Sequence, residues 1–241
     1  MSWNQPSWNQ APVVSPQLAD VRDERVGAFL SKVYGWMFFG LLVTAVTAFA
    51  IASSPAIFEI IFFNRLVFWA LLIAQLGLVF YLSARVDKVA PTTAAALFIL
   101  YSALTGVTSS VILLLYTGAS IASTFVITAS MFGAMAVFGT VTKRSLAGMG
   151  QFLFMGLIGL ILASIVGLFW QSDALQFVIS VVGVLVFTGL TAWDAQRLKQ
   201  MAVALPDGRV GAYAVVGALS LYRDFINLFF FLLRFTGGRR D

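Results

Sequence analysis

Phe152-Leu153-Phe154-Met155-Gly156-Leu157-Ile158-Gly159-Leu160-Ile161-Leu162-Ala163-Ser164-Ile165-Val166-Gly167-Leu168-Phe169-Trp170 runs without one charged side chain. About 20 apolar residues carry a helix across a bilayer, and this run matches that length. The rest of the chain has the same character. Of 241 residues, 60% are hydrophobic and 10% charged, with a mean hydropathy of +0.94, whereas soluble domains are roughly half apolar and a quarter charged. One small core cannot hide that excess, so it must face lipid. The length allows roughly seven crossings joined by short loops.

The other segments are Val33–Ala52, Leu66–Ser83, Thr92–Tyr116, Ile121–Val141, Ala174–Trp193 and Tyr213–Phe235. Breaks fall at Pro55, Arg85-Val86-Asp87-Lys88, Thr117-Gly118, Lys143-Arg144 and Gln171-Ser172-Asp173. Unbroken apolar runs of this length predict helices, since barrel strands alternate apolar and polar residues over about ten positions. The expected fold is all-α, a polytopic membrane protein of seven transmembrane helices. Residues 1–20, with the repeats Ser2-Trp3-Asn4-Gln5 and Ser7-Trp8-Asn9-Gln10, read as a disordered tail, and 21–241 as the transmembrane domain. The tail lacks the basic-then-apolar order of a cleavable signal peptide. Glycine-rich intervals (Gly159, Ala163 and Gly167; Gly106 and Ser110) suit close helix packing.

Cysteine and histidine are both absent, which removes disulfides, Cys/His zinc sites, thiol nucleophiles and Ser-His chemistry. The formal charge of +5 reports orientation rather than nucleic-acid binding. Arg22, Arg25 and Lys32 precede the first segment, Arg85 and Lys88 follow the second, Lys143 and Arg144 the fourth. Arg197, Lys199 and Arg209 follow the sixth, and the alternate loops hold only Arg65. This bias places the N-terminus and the even-numbered connections in the cytoplasm. Arg234, Arg239 and Arg240 run against it: seven full crossings put them outside, unless the last segment dips in and returns.

Charges inside apolar surroundings are the informative ones, because a carboxylate at membrane depth is costly and marks a cavity or a partner. Asp224 lies mid-segment in Leu221-Tyr222-Arg223-Asp224-Phe225-Ile226-Asn227, and Asp194 closes the preceding segment. The two are equidistant from Arg209, so an antiparallel hairpin with a symmetrical turn brings both carboxyls to similar depth. Two carboxylates close together in a poorly solvated place cannot both ionise easily and titrate as a unit. They can share a proton or hold a cation; hard oxygen ligands favour Ca²⁺, although two carboxylates leave its shell incomplete. Asp194 read alone also fits an interfacial residue paired with Arg197 at i+3. Asp87 and Lys88 read as a solvated loop pair.

At these two segments the chain resembles the Bax inhibitor-1 (transmembrane Bax inhibitor motif) family. Ala218-Leu219-Ser220-Leu221-Tyr222-Arg223-Asp224-Phe225-Ile226-Asn227-Leu228-Phe229 is similar to that family's C-terminal signature, and Trp193-Asp194-Ala195-Gln196-Arg197-Leu198 to its sixth-helix motif. Further agreement runs through Leu76–Phe80, Tyr116–Ile121 and Thr140–Leu146, so the likeness covers about 22–237. The resemblance implies seven helices with the last one central and wrapped by the other six. It also implies a pH-sensitive calcium leak gated by paired aspartates, here Asp194 and Asp224, with Ca²⁺ as transported ion and no cofactor. The family's latching arginine on the second helix maps by position to Arg85. Arg223 departs from the pattern, standing where the family commonly has an apolar residue, and Trp193 replaces a usual tyrosine.

Two other classes remain. An interaction protein that modulates a membrane-bound protease or a cell-death or stress regulator is compatible with the resemblance. An intramembrane aspartyl protease also places two aspartates on consecutive helices. That class shows a Gly-x-Gly-Asp signature, whereas Asp224 here follows Leu-Tyr-Arg, so the chain is expected not to be an enzyme. The expected location is a bacterial inner membrane, with the lipid bilayer and calcium ions as partners.

Overall fold

The computed structural model describes residues 16–170, 172–238 and 240, and the first fifteen residues of the expected tail lie outside them. Among the described residues there are eight α-helices and no strands. They are α1 (Pro16–Ala52), α2 (Pro55–Phe63), α3 (Arg65–Arg85), α4 (Pro91–Leu115), α5 (Gly118–Val141), α6 (Ala147–Phe169), α7 (Asp173–Ala204) and α8 (Val210–Thr236). All except α2 are long and apolar enough to cross a membrane. The chain is a polytopic membrane protein. Its lipid-facing surface is apolar, with Phe49, Leu66, Phe80, Phe152, Phe169 and Leu185 all exposed. Leaving such side chains in water would cost about 1.5–3 kcal/mol each.

Local chemistry sets the helix starts. The Asn64 side chain accepts from Leu66 N at 3.0 Å to open α3, Thr117 accepts from Ser120 N at 3.2 Å to open α5, and prolines open α2 and α4. Three boundaries differ from the sequence reading. α1 already begins at Pro16, inside the stretch read as tail. α2, which the hydropathy pattern did not reveal, is a nine-residue helix with none of its residues buried. α7 runs past Trp193 to Ala204, so Asp194 lies within a helix rather than at its C-terminus.

α8 is the most buried span and packs on α1, α4, α5 and α7. The expectation of six wrapping helices is thereby narrowed to four. α6 packs on α7, and α3 on α4 and α2, as an outer layer. Small residues draw α6 onto α7: a Cβ on Gly150 would strike the Trp193 ring, and one on Gly189 would meet Leu153 at 2.7 Å. Gly106 likewise lets α4 touch the backbone of α1 at Thr44 and Ala48, whereas Gly159 faces open space.

Polar contacts define two ends. At the first, the Arg25 guanidinium donates to Leu205 O, Lys199 Nζ donates to Thr140 O at 2.7 Å, and Gln196 accepts from Leu146 N at 2.7 Å and donates to Arg144 O at 2.9 Å. At the other, Thr117 N donates to Gly238 O and Arg240 N to Leu115 O. The start of α1 and the end of α8 therefore lie at opposite ends of the bundle, and α8 runs from one end to the other. The first end carries most of the cations of the chain and is called the basic end below.

Candidate functional site

The α7–α8 hairpin turns through Leu205-Pro206 and a short 3-10 turn at Asp207–Arg209. Its register pairs Asp194 with Ser220, whose Oγ donates to Asp194 Oδ2. Asp224 sits one turn deeper than Ser220. The two carboxyls are near enough for each to act electrostatically on the other. Both residues are buried, each with 6% of its surface exposed. Asp224 Oδ2 has no hydrogen-bond partner among the described residues, an arrangement that costs about 1–3 kcal/mol for a polar atom and more for a charge.

Above the pair, toward the basic end, opens a cavity of about 270 Å³ lined by Asp194, Arg197, Tyr213, Ser220 and Arg223, with Ser83 and Val86 at its rim. Tyr213, Val216, Gly217, Ser220 and Arg223 recur every three or four residues and form the cavity-facing stripe of α8. That spacing was present in the sequence. Asp87 holds the rim: its Oδ1 accepts from Arg209 Nη1 at 2.6 Å and from the Tyr213 hydroxyl at 2.6 Å. Asp87 and Lys88 are both exposed, as a solvated loop requires, but the partners of Asp87 are Arg209 and Tyr213 rather than Lys88.

The cations whose charges bear on the pair are Arg197 and Arg223. Arg197 also lies over the Trp193 ring, 5.5 Å from its centroid. Arg85, expected to latch the pair, is exposed in the last turn of α3 with its guanidinium 5.6 Å from the Tyr81 ring centroid. It does not line the cavity although its neighbours Ser83 and Val86 do, because its side chain turns toward Tyr81. The structure thus brings Asp194 and Asp224 together and leaves Arg85 apart. Asn227, on the Asp224 face by spacing, instead donates to Arg223 O at 2.9 Å.

On the face of α8 turned away from the pair the bundle is tightly packed. Tyr222, fully buried, bonds Thr44 Oγ1 through its hydroxyl at 2.5 Å. Thr44 also donates toward Gly40 O and Ser102 O, both at 2.9 Å, and the Phe98 and Tyr101 rings pack edge-on against Tyr222. Sequence reading missed this junction of α1, α4 and α8, since hydroxyls scattered over three helices carry no motif. Beyond it lies an apolar cavity of about 260 Å³ lined by Phe125, Phe225, Phe229 and Phe230 among others. The phenylalanines of α8 are packing groups: Phe225 meets Phe125 and Phe132 edge-on, and Phe231 stacks on Phe187 in space that Gly183 leaves. Two carboxylates and a hydroxyl are an incomplete calcium shell, and among the described residues no cluster of three or more acidic groups forms.

Comparison with known proteins agrees with this architecture. Residues 26–241 match the family model described as "Inhibitor of apoptosis-promoting Bax1". The chain is 49% identical over 230 residues to "Inner membrane protein YbhL" of Escherichia coli K12, covering 93% of this chain and 98% of that protein. It is also 49% identical over 215 residues to an uncharacterized protein of Borreliella burgdorferi, covering 88% and 93% of the two chains. A Rickettsia prowazekii protein, RP147, is 43% identical over 223 residues, with 91% and 93% covered. Seven apolar spans of which α8 is the most buried, a family match over nearly the whole helical domain and relatives at this identity place the chain in the Bax inhibitor-1 family.

Proposed function

We propose that this chain is a pH-sensitive calcium leak of a bacterial inner membrane, with its N-terminus and basic end in the cytoplasm. The observation that carries the reading is the Asp194–Asp224 pair, both residues buried in the α7–α8 hairpin, with Asp194 lining a cavity that opens toward the basic end. Carboxylates so placed need a proton, a cation or an arginine beside them. Arg223 and Arg197 fill the latching role that position had suggested for Arg85. The conformation is closed: α8 is the most buried span, and Asp224 is packed within the bundle. Protonation of the pair weakens its attraction for the arginines and shifts the balance toward a state in which α7 and α8 separate. The orientation rests on the cations of the basic end, and the location on the likeness to the inner membrane protein of Escherichia coli.

The test is calcium flux into liposomes holding the purified protein, from about pH 8 to about pH 5. Flux should rise as the pH falls, and Asp194→Asn and Asp224→Asn should flatten that dependence. Arg223→Gln should raise flux near pH 8 by freeing the pair. Folded protein that passes no calcium at any pH would overturn the leak, and a search for a regulated membrane protease or stress regulator would follow.

A further inference from the structure

A second cavity at the basic end, separate from the aspartate site, has a composition that points to an anion. It measures about 400 Å³ and lies between the start of α1, the α5–α6 connection and α7. Arg22, Lys143, Arg144 and Lys199 line it, opposed only by Asp23, and Thr142, Ser145, Gln196 and Gln200 add polar groups. Its walls are fixed. Gln196 is buried and spends its amide on Leu146 N and Arg144 O. Lys199 is half-buried, and its bond to Thr140 O leaves further N–H groups of the ammonium to donate.

Gathering four cations around one hollow is unfavourable unless an anion joins them. The depth of the hollow says which kind. The α5–α6 connection joins two membrane spans, so the cavity lies where headgroups lie. On α5, Val141 and Phe138 directly before it are exposed apolar side chains, an apolar track leading from the cations into the hydrocarbon. A free phosphate would have no use for that track. We propose that this cavity binds the phosphate of an anionic phospholipid headgroup, with an acyl chain lying along α5.

The experiment is native mass spectrometry of the full chain in detergent, titrated with phosphatidylglycerol and, separately, with phosphatidylcholine. Lys143→Gln/Arg144→Gln removes two exposed cations whose side chains hold no wall in place. It should weaken phosphatidylglycerol binding on the order of tenfold or more and leave phosphatidylcholine unchanged. Lys32→Gln/Lys88→Gln removes the same charge from exposed positions elsewhere at the basic end and should weaken it little. An unchanged unfolding temperature in neutral lipid confirms that both pairs fold. Equal weakening by both pairs, or none by the first, overturns the site. Complete displacement of phosphatidylglycerol by millimolar inorganic phosphate, with no benefit from the chains, overturns the lipid assignment. Should the double variant not fold, Lys143→Gln and Arg144→Gln alone must each show part of the loss.

Discussion

Gly139 is where α5 touches the backbone of α7, at Ala192, two residues before Asp194. An alanine Cβ there would lie 2.8 Å from the Ala192 carbonyl carbon and 2.9 Å from its Cα, with the carbonyl oxygen nearer still. Comfortable carbon contacts are about 3.5–4.0 Å. Backbone cannot rotate away as a side chain can, so α5 must retreat by roughly 0.6 Å or more, and gaps of that size forfeit a quarter to a half of each dispersion contact. Overpacking of this kind costs about 1–3 kcal/mol. Replacing a helical glycine returns about 1 kcal/mol, leaving a net loss of about 1 kcal/mol. Gly133, on the same helix, has nothing within 4 Å of its position for a Cβ. Gly133→Ala should therefore keep the gain and stabilise by about 1 kcal/mol. Each kcal/mol moves Tm by about 2–4 °C in a chain of this size. Thermal unfolding of both variants in the same detergent reads the difference directly. If Gly139→Ala proves as stable as Gly133→Ala, the α5–α7 contact is not the tight one described.

Tyr222→Phe should cost about 1 kcal/mol, since Thr44 keeps the carbonyls of Gly40 and Ser102 as acceptors; equilibrium unfolding reads the loss, and none at all would argue against the junction. Gln196→Leu should be worse, by about 1–3 kcal/mol, because it strands the buried Leu146 N–H and deprives Arg144 O of its donor. The natural chain has no cysteine, so Ser145→Cys and Gly238→Cys can each be labelled with an impermeant thiol reagent. They should react from opposite faces of the membrane, Ser145 from the cytoplasmic one, and labelling from the same face would refute the full crossing of α8.

Membrane architecture was legible because its signal is summed over whole segments. Seven apolar runs need no knowledge of packing, and the structure moves their ends mainly where a helix continues beyond the bilayer, as α1 and α7 do. The aspartate pair was legible for a related reason: a carboxylate in an apolar run stands out without any partner being known. Its partners did not. Arg223 points about 100° from Asp224 on the same helix, yet its charge bears on Asp194 across the hairpin as well as on Asp224. Position along the chain singles out Arg85, but it cannot reveal that this side chain turns toward Tyr81 while Ser83 and Val86 line the cavity. Tyr222 and Thr44 are 178 residues apart, and only the folded bundle makes them neighbours.

The place of α8 also bears on how the molecule is assembled. The helix that four others enclose is the last of them to leave the ribosome. At roughly 5–20 residues per second, α1 waits on the order of ten seconds or more in the bilayer before its central partner arrives. Until then the earlier spans surround a space lined by small and hydroxylated side chains, with Thr44 and Ser102 facing it and no tyrosine to meet them. Insertion of α8 carries Asp224 into that space at the final step, so completion of the core and completion of the aspartate pair are a single event.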